Sequence, residues 1–201
     1  MYSIDVVSTF YRDKTKPSGF LGMFAKEKIF GKMRGTHEFH LGKILPQVID
    51  EIGGGIDFVI LDTTHTLPGE LLDFLAVLPY LTDNAVVVLH DVSFHQTQRK
   101  INADATGVLF GAVTAEKFLN FQSDEELFRY PNIAAFKVNE QTAENIENVF
   151  LELILRWNVL PLEERIIIYR RHYRRFYSDA LIEIFQEALD MNGYNFATQN
   201  K

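Results

Sequence analysis

Polar side chains able to do chemistry follow two apolar runs of the sequence. Asp62 and His65 come directly after the run 56–61, in the order D-x-x-H, and His90 and Asp91 follow the run 85–89. Carboxylates and imidazoles serve as general bases and as ligands of divalent cations. The two motifs on successive runs are more informative together than either motif is alone.

Each of these residues also has a purely structural interpretation. Asp, Thr and Ser after a strand commonly cap the next helix, and Asp62 precedes a predicted helix at 67–80. For His90, a buried side chain bonded to the backbone is the preferred interpretation. His95 is a candidate for lining a pocket, although a surface position is the preferred interpretation there too.

The elements that must position these residues follow from the hydropathy pattern. The run 56–61 is nearly continuous in apolar residues, interrupted by Asp57, and the run 85–89 is apolar throughout. Helical spacing of apolar residues separates the two runs at 67–80. Such runs, alternating with amphipathic helices, are typical of a parallel sheet covered on both faces. Ligands of these sheets lie outside the carboxyl ends of the strands. The predicted motifs therefore collect at one edge of the sheet.

Further strands are predicted on either side of this region, and only helices after it. The strands are expected at 2–7, 36–41 and 132–138, and the helices at 142–157, 162–176 and 178–191. Segment 107–113 is compatible with a strand or a helix, and glycines 53–55 with a helix end and a turn. We predict a mostly parallel α/β domain over residues 1–140 and a helical C-terminal extension over residues 141–201.

Composition excludes several classes of protein. The chain has 201 residues, of which 47% are hydrophobic and 23% charged, as in globular domains. No apolar run is long enough to cross a membrane, and the N-terminus lacks the features of a secretory signal. The absence of cysteine excludes disulfides, thiolate metal sites and a cysteine nucleophile. Together these features predict a cytoplasmic protein.

Charge points to the same region of the sequence. The formal net charge of −7 disfavours nucleic acids and anionic membranes as partners. The acidic excess falls in residues 51–150, which carry 15 acidic and 5 basic side chains. A site for a metal ion or for a cationic ligand is therefore expected in this part of the chain.

The segment 56–91 resembles the fourth strand, helix and fifth strand of class I S-adenosylmethionine-dependent methyltransferases. The branch with D-x-x-H after strand four and HD after strand five includes sugar O-methyltransferases and relatives of the cephalosporin-type methyltransferase. YSIDVV at 2–7 resembles the family's second strand, HLGK at 40–43 the end of its third strand, and NIAAFKV at 132–138 its last strands. The resemblance covers residues 2–138 and implies a Rossmann-like fold.

The resemblance also implies a cofactor and site residues. Asp5 would bind the ribose of S-adenosylmethionine, and Gly42 and Lys43 belong to the same cofactor site. The acceptor would be a sugar, a glycan or another small hydroxylated molecule. Two ways to activate its hydroxyl remain open. His65 is one, as a general base assisted by Asp62. The other is a divalent ion such as Mg²⁺, held by Asp62 and Asp91.

The sequence departs from the family pattern at its start. The glycine-rich loop that follows the family's first strand is absent, and the chain begins at the second strand. We therefore expect a truncated or inactive methyltransferase, with weak or no affinity for the cofactor. Segment 2–7 is expected to enter the vacant central position of the sheet, or a second chain to cover it, as in a homodimer. The alternative function is a non-catalytic protein of this fold that acts through oligomerisation or as a partner subunit.

Overall fold

The structure is a computed structural model that describes residues 1–10, 13, 15–16, 23–28, 30–32, 35–94, 104–119 and 131–194. The chain divides into two compact units, Met1–Gly53 and Gly54–Lys201. This division does not coincide with the predicted domain boundary at residue 140. The C-terminal helices belong to the same unit as the larger sheet.

The first unit contains a two-stranded parallel sheet. Strand β1 pairs with β2 in a register that runs from Tyr2 opposite Glu38 to Asp5 opposite Leu41. The prediction that segment 2–7 enters the larger sheet is wrong, because β1 belongs to this separate sheet. The elements of the unit are β1 (Tyr2–Asp5), α1 (Met23–Lys28), β2 (Glu38–Leu41) and α2 (Ile49–Ile52), with 3-10 turns at Phe30–Lys32 and Leu45–Gln47.

A glycine ends α2, as predicted. Gly53 caps the helix with φ of 82°, and its N–H donates to the carbonyl of Ile49 at 2.8 Å. This left-handed conformation is unfavourable for residues with a Cβ atom. The chain therefore leaves the helix at Gly53 and enters the second unit.

The second unit is built on a four-stranded sheet with the strand order β3-β4-β6-β5. β3 and β4 are parallel, whereas β6 is antiparallel to both of its neighbours. The α/β class is thus confirmed, with parallel pairing in β1–β2 and β3–β4. The elements are β3 (Ile56–Leu61), α3 (Gly69–Val77), a 3-10 turn (Leu78–Tyr80), β4 (Leu81–His90), α4 (Ala105–Ala112), β5 (Glu116–Leu119) and β6 (Ile133–Lys137).

The C-terminal region is helical, as predicted. The helix expected at 142–157 is interrupted, because Asn145 leaves the helical conformation with φ of −108°. None of the helices in the described ranges has both the length and the apolar character needed to cross a membrane. The four helices are α5 (Glu140–Glu144), α6 (Glu147–Glu152), α7 (Glu163–Tyr173) and α8 (Asp179–Met191).

Helix α3 lies at the centre of the core of this unit. Leu71, Phe74 and Leu75 are fully buried, and the Phe74 ring meets Phe136 of β6 edge-to-face at 5.3 Å. Burying a side chain of this size contributes about 1.5–3 kcal/mol. On another flank, the Tyr173 hydroxyl of α7 donates to a carbonyl of α3. α3 is therefore fixed by packing against β6 and by a hydrogen bond from α7, and Glu70 in its first turn is fixed with it.

Strand β3 is an outer strand of its sheet and exposes apolar side chains. Phe58 is 54% exposed and Ile60 is 61% exposed. The sequence pattern had predicted cover on both faces of this run, and for these two residues that prediction is wrong. Self-association through an incomplete sheet stays a prediction.

Candidate active site at the ends of β3 and β4

Parallel pairing brings the two sequence motifs together. Leu61, the last residue of β3, lies opposite Leu89 in β4. The next residues, Asp62 just after β3 and His90 at the end of β4, therefore lie side by side, and Asp91 follows His90. The polar residues of the two motifs begin where the largely apolar runs that form β3 and β4 stop.

The loop after β3 turns sharply and brings His65 back beside Asp62 and Asp91. His65 has φ of 57°. Its backbone N–H donates to Glu70 Oε1 at 2.9 Å, and its carbonyl accepts from the N–H of Ala105 at 3.2 Å. The loop packs so closely on α3 that a Cβ at Gly69 would overlap Thr64 Oγ1. Any side chain at the first position of α3 would therefore require Thr64 to shift.

Asp62, His65, His90 and Asp91 form a compact group, named the strand-end cluster below. His65 Nε2 lies 3.2 Å from Asp91 Oδ2 and 3.5 Å from Asp62 Oδ1. His90 Nδ1 lies 3.4 Å and 3.3 Å from the same two oxygens. Two nitrogens thus alternate with two oxygens around one point. Asp62 is 56% exposed and His90 40% exposed, so the cluster opens to solvent on their side.

A fully buried carboxylate lies behind His65. Glu70 Oε1 is 3.3 Å from His65 Nδ1, without the alignment of a full hydrogen bond. The contact with Glu70 is the main reason why the pKa of His65 is raised above its usual value. The charges of Asp91 and Asp62 act in the same direction, whereas burial lowers the pKa. In the neutral ring with its proton on Nδ1, that proton faces Glu70 and the Nε2 lone pair points at the cluster.

A second polar contact orients Asp91. Asn132, directly before β6, donates from its side-chain amide to Asp91 Oδ1 at 2.7 Å. Oδ2 of the same carboxylate is thereby turned toward the two imidazoles. Asp91 also has a left-handed backbone, with φ of 60°. Two of the four cluster residues therefore hold conformations that cost residues with a Cβ atom about 1–2 kcal/mol each.

The structure brings three predicted site residues together, namely Asp62, His65 and Asp91. The preferred interpretation of His90 is wrong, because its Nδ1 faces two carboxylates instead of the backbone. Sequence reasoning missed the supporting residues Glu70 and Asn132. Glu70 was detectable as the one charge in a turn that opens an apolar helix, whereas Asn132 gave no signal. His95 lies outside the described residues.

The residues predicted to bind the cofactor lie together in the first unit. Asp5 ends β1, and its carbonyl accepts from the N–H of Lys43 at 3.1 Å. Asp5 Oδ1 accepts from the N–H of Val7 at 2.8 Å. Gly42 turns the chain after β2 with φ of 72°. The Asp5 carboxylate thus supports its own turn, and its role in cofactor binding stays a prediction.

The donor atoms of the strand-end cluster do not fit Mg²⁺. This ion prefers oxygen ligands in octahedral geometry and keeps several waters. Two of the four converging atoms are imidazole nitrogens, on His65 and His90. No step of the reaction below is therefore assigned to Mg²⁺.

Comparison with known proteins gives one match. Residues 10–92 match the model of a family described as a methyltransferase domain, a range that contains the whole strand-end cluster. No curated protein and no solved structure matches the chain. Such a domain generally implies a cofactor of the S-adenosylmethionine type. The match covers less than half of the chain; together with the α/β architecture it supports a methyltransferase fold and a methyltransferase-like protein.

Proposed function

We propose that the chain is an S-adenosylmethionine-dependent O-methyltransferase that acts on a hydroxyl group of a sugar or another small acceptor. The observation that carries the proposal is the arrangement of His65 between the buried Glu70 and the carboxylates of Asp62 and Asp91. A histidine held in this way is suited to remove a proton from an acceptor hydroxyl. The match of residues 10–92 to a methyltransferase domain supports the reaction class.

His65 would act as the general base. Its Nε2 would accept the hydroxyl proton while the acceptor oxygen attacks the methyl carbon. The imidazolium that forms is stabilised by the negative charges of Glu70, Asp62 and Asp91, which also raise the pKa of His65. S-adenosylmethionine supplies the electrophilic methyl group, and the sulfur leaves as a neutral thioether. The main task of the protein is then to align the acceptor with this group.

Asp5 would bind the cofactor ribose. One carboxylate oxygen is engaged by the N–H of Val7, and the second oxygen is suited to accept from ribose hydroxyls. Such charge-assisted hydrogen bonds are about twice as strong as neutral ones. Gly42 and Lys43 continue the chain beside this carboxylate and complete the proposed cofactor contacts.

The first test combines binding with turnover. S-adenosylhomocysteine is titrated into the chain by calorimetry, and methyl transfer from labelled S-adenosylmethionine is measured with a panel of sugars and small alcohols. His65→Gln should lower transfer by about 100-fold or more, as expected for the loss of a general base. Asp62→Ala should abolish transfer. Glu144→Gln is the control, because Glu144 is an exposed residue of α5, outside both the strand-end cluster and the proposed cofactor site.

Two results would contradict the proposal. Full transfer by His65→Gln would remove this residue from the mechanism. The absence of both binding and transfer would favour the non-catalytic alternative, a protein of this fold that acts through oligomerisation or as a partner subunit.

A further inference from the structure

The strand-end cluster has the spacing of a four-coordinate metal site. The four nitrogen–oxygen distances between neighbouring donors are 3.2, 3.3, 3.4 and 3.5 Å. One donor atom from each residue can be chosen so that all four lie within 4.8 Å of one another. A tetrahedral ion with bonds of about 2.0–2.1 Å places its ligands about 3.3–3.4 Å apart. The four nitrogen–oxygen separations therefore match the spacing of ligands on such an ion, whereas the spread of up to 4.8 Å over all four atoms requires the side chains to move closer together.

The donor types select the kind of ion. Imidazole nitrogens suit zinc, copper, iron and nickel, whereas magnesium takes carboxylate and water oxygens. His65 Nε2 and His90 Nδ1 make up half of the converging donors. The set thus matches a borderline first-row transition ion.

A positive charge at the centre of the cluster would also be electrostatically favourable. His90 Nδ1 is buried and has no hydrogen-bond partner among the described residues. With Nδ1–H of His65 facing Glu70, the Nε2 lone pair points at two carboxylate oxygens. Lone pairs that face carboxylates at these distances repel, unless a proton or a cation lies between them. A single divalent ion would satisfy all four donors at once.

Contacts behind the donors resemble those of established metal sites. A histidine that binds a metal usually directs its other ring nitrogen to a carboxylate or a carbonyl, and ligating carboxylates are themselves hydrogen-bonded. Glu70 stands in this relation to His65, and Asn132 donates to Asp91 at 2.7 Å. These contacts fix both ring orientation and carboxylate orientation.

We propose that Asp62, His65, His90 and Asp91 bind one first-row transition ion of the Zn²⁺ type and discriminate against Mg²⁺. The inference uses the same site as the proposed function but does not depend on methyl transfer. An ion at this position takes the Nε2 lone pair of His65, so that metal binding and general-base action exclude each other. The ion is then an inhibitor of transfer, in contrast to an activating Mg²⁺.

The test uses the tag-free 201-residue chain, stripped with a chelator and kept without cofactor or acceptor. Co²⁺ is titrated in as a spectroscopic probe. One equivalent should give the intense visible absorption of a four-coordinate site, and Zn²⁺ should displace the Co²⁺. A thousand-fold excess of Mg²⁺ should leave the spectrum unchanged.

Variants assign the site to its residues. His65→Gln and His90→Gln should each weaken Zn²⁺ binding by about ten-fold or more, whereas His40→Gln in β2 should bind as the unaltered chain does. His90→Asp makes the donor set richer in oxygen and should shift preference toward Mg²⁺ by about ten-fold or more. Circular dichroism confirms that each variant is folded.

The outcomes separate this inference from the proposed function. A lack of Co²⁺ absorption, displacement of Co²⁺ by Mg²⁺, or unchanged binding by both Gln variants would overturn the metal site, even if methyl transfer were observed. Tight Zn²⁺ binding in a chain without transfer would support the metal site and count against the proposed function. Transfer that is unaffected by one equivalent of Zn²⁺ would overturn the mutual exclusion.

Discussion

Helix α3 meets polar side chains of other elements in two regions, at its first turn and along its flank, and the two regions differ in the geometry of these contacts. At its start, Glu70 and the strand-end cluster hold polar atoms that face one another at 3.2–3.5 Å. Along its flank, Tyr173 and Tyr177 donate to the carbonyls of Leu72 and Leu75, both at 2.6 Å. The flank consists of short hydrogen bonds in the interior, whereas the cluster opens to solvent.

The difference separates the hydrogen bonds that stabilise the fold, on the flank, from the polar groups that are available to bind an ion or a ligand, in the strand-end cluster. A buried hydroxyl that donates to a carbonyl stabilises the native state by about 1 kcal/mol and is costly to leave unpaired. Carboxylates and imidazoles that face each other contribute little until a proton, an ion or a ligand arrives. Substitutions on the flank should therefore change the free energy of unfolding, and substitutions in the cluster should change binding.

The largest expected effect is on the flank. Tyr173→Ala removes a fully buried aromatic ring that packs against Phe150 and Phe185. The free energy of unfolding should fall by about 3–5 kcal/mol in urea titrations. Tyr173→Phe keeps the ring and should cost about 1 kcal/mol. Equal losses in the two variants would show that the ring contributes nothing beyond its hydroxyl.

The second effect belongs to the cluster. Glu70→Gln keeps an oxygen for the backbone N–H of His65 but removes the negative charge behind the ring. Zn²⁺ affinity should fall by about 10–100-fold, whereas the urea midpoint should change little. The exposed Glu144 in α5 supplies the matched control, Glu144→Gln. Unaltered Zn²⁺ affinity in Glu70→Gln would remove Glu70 from the site.

The sequence was sufficient to place Asp62, His65 and Asp91 at one edge of the sheet, because their positions depend on local pattern, but it did not assign His90 to the cluster. Continuous apolar runs predicted β3 and β4, and the carboxyl ends of parallel strands lie at one edge. Asn132 was missed because its role depends on tertiary position, since it lies 41 residues from Asp91 along the chain. Glu70 is only five residues from His65, and its signal, a charge in the first turn of an apolar helix, was overlooked. Strand β5 was missed because its four residues are all exposed and show no alternation.

A third prediction concerns Gly69, the first residue of α3, where the helix contacts the loop that carries His65. Gly69→Ala puts a methyl group into Thr64 Oγ1 and forces the loop of His65 away from α3. The free energy of unfolding should fall by about 1–2 kcal/mol, and Zn²⁺ affinity should fall with it. Gly111→Ala is the control, because a Cβ there meets nothing within 4 Å in helix α4. That substitution should stabilise by about 0.5–1 kcal/mol, and similar results at both sites would contradict the packing argument.

The smallest effect is a pH dependence on the flank. Burial is the main cause that raises the pKa of Asp73 from 3.8 to about 6; the charge of Glu70 also raises it, and the Tyr169 hydroxyl, which donates to Asp73 Oδ1, opposes the shift. The folded state therefore holds this proton more tightly than the unfolded state does. Stability is greatest below the unfolded pKa and is lost as pH rises through about 6.

Asp73→Asn should abolish this loss. Because Asp73 keeps some solvent contact, the variant should gain about 1–2 kcal/mol at pH 7.5 and less at pH 5, measured by urea titration. The exposed Asp57 in β3 gives the control, Asp57→Asn. A gain of equal size at both pH values would show that the carboxyl does not titrate in this range.

His65 and Asp91 both have a left-handed backbone, which is unfavourable for residues with a Cβ atom. Selection for stability and selection for the site therefore favour different residues at these two positions. Glycine at either position would remove about 1–2 kcal/mol of backbone strain, along with the side chain that binds. A mutant library sorted by heat resistance alone should therefore accumulate glycine at 65 and 91 and lose its metal affinity. Asn84 has φ of 68° but lies outside the cluster, so the frequency of glycine at position 84 shows how often such replacements occur without any loss of the site. Enrichment at 65 and 91 that disappears when the sort also demands binding would measure how strongly function opposes stability at these positions.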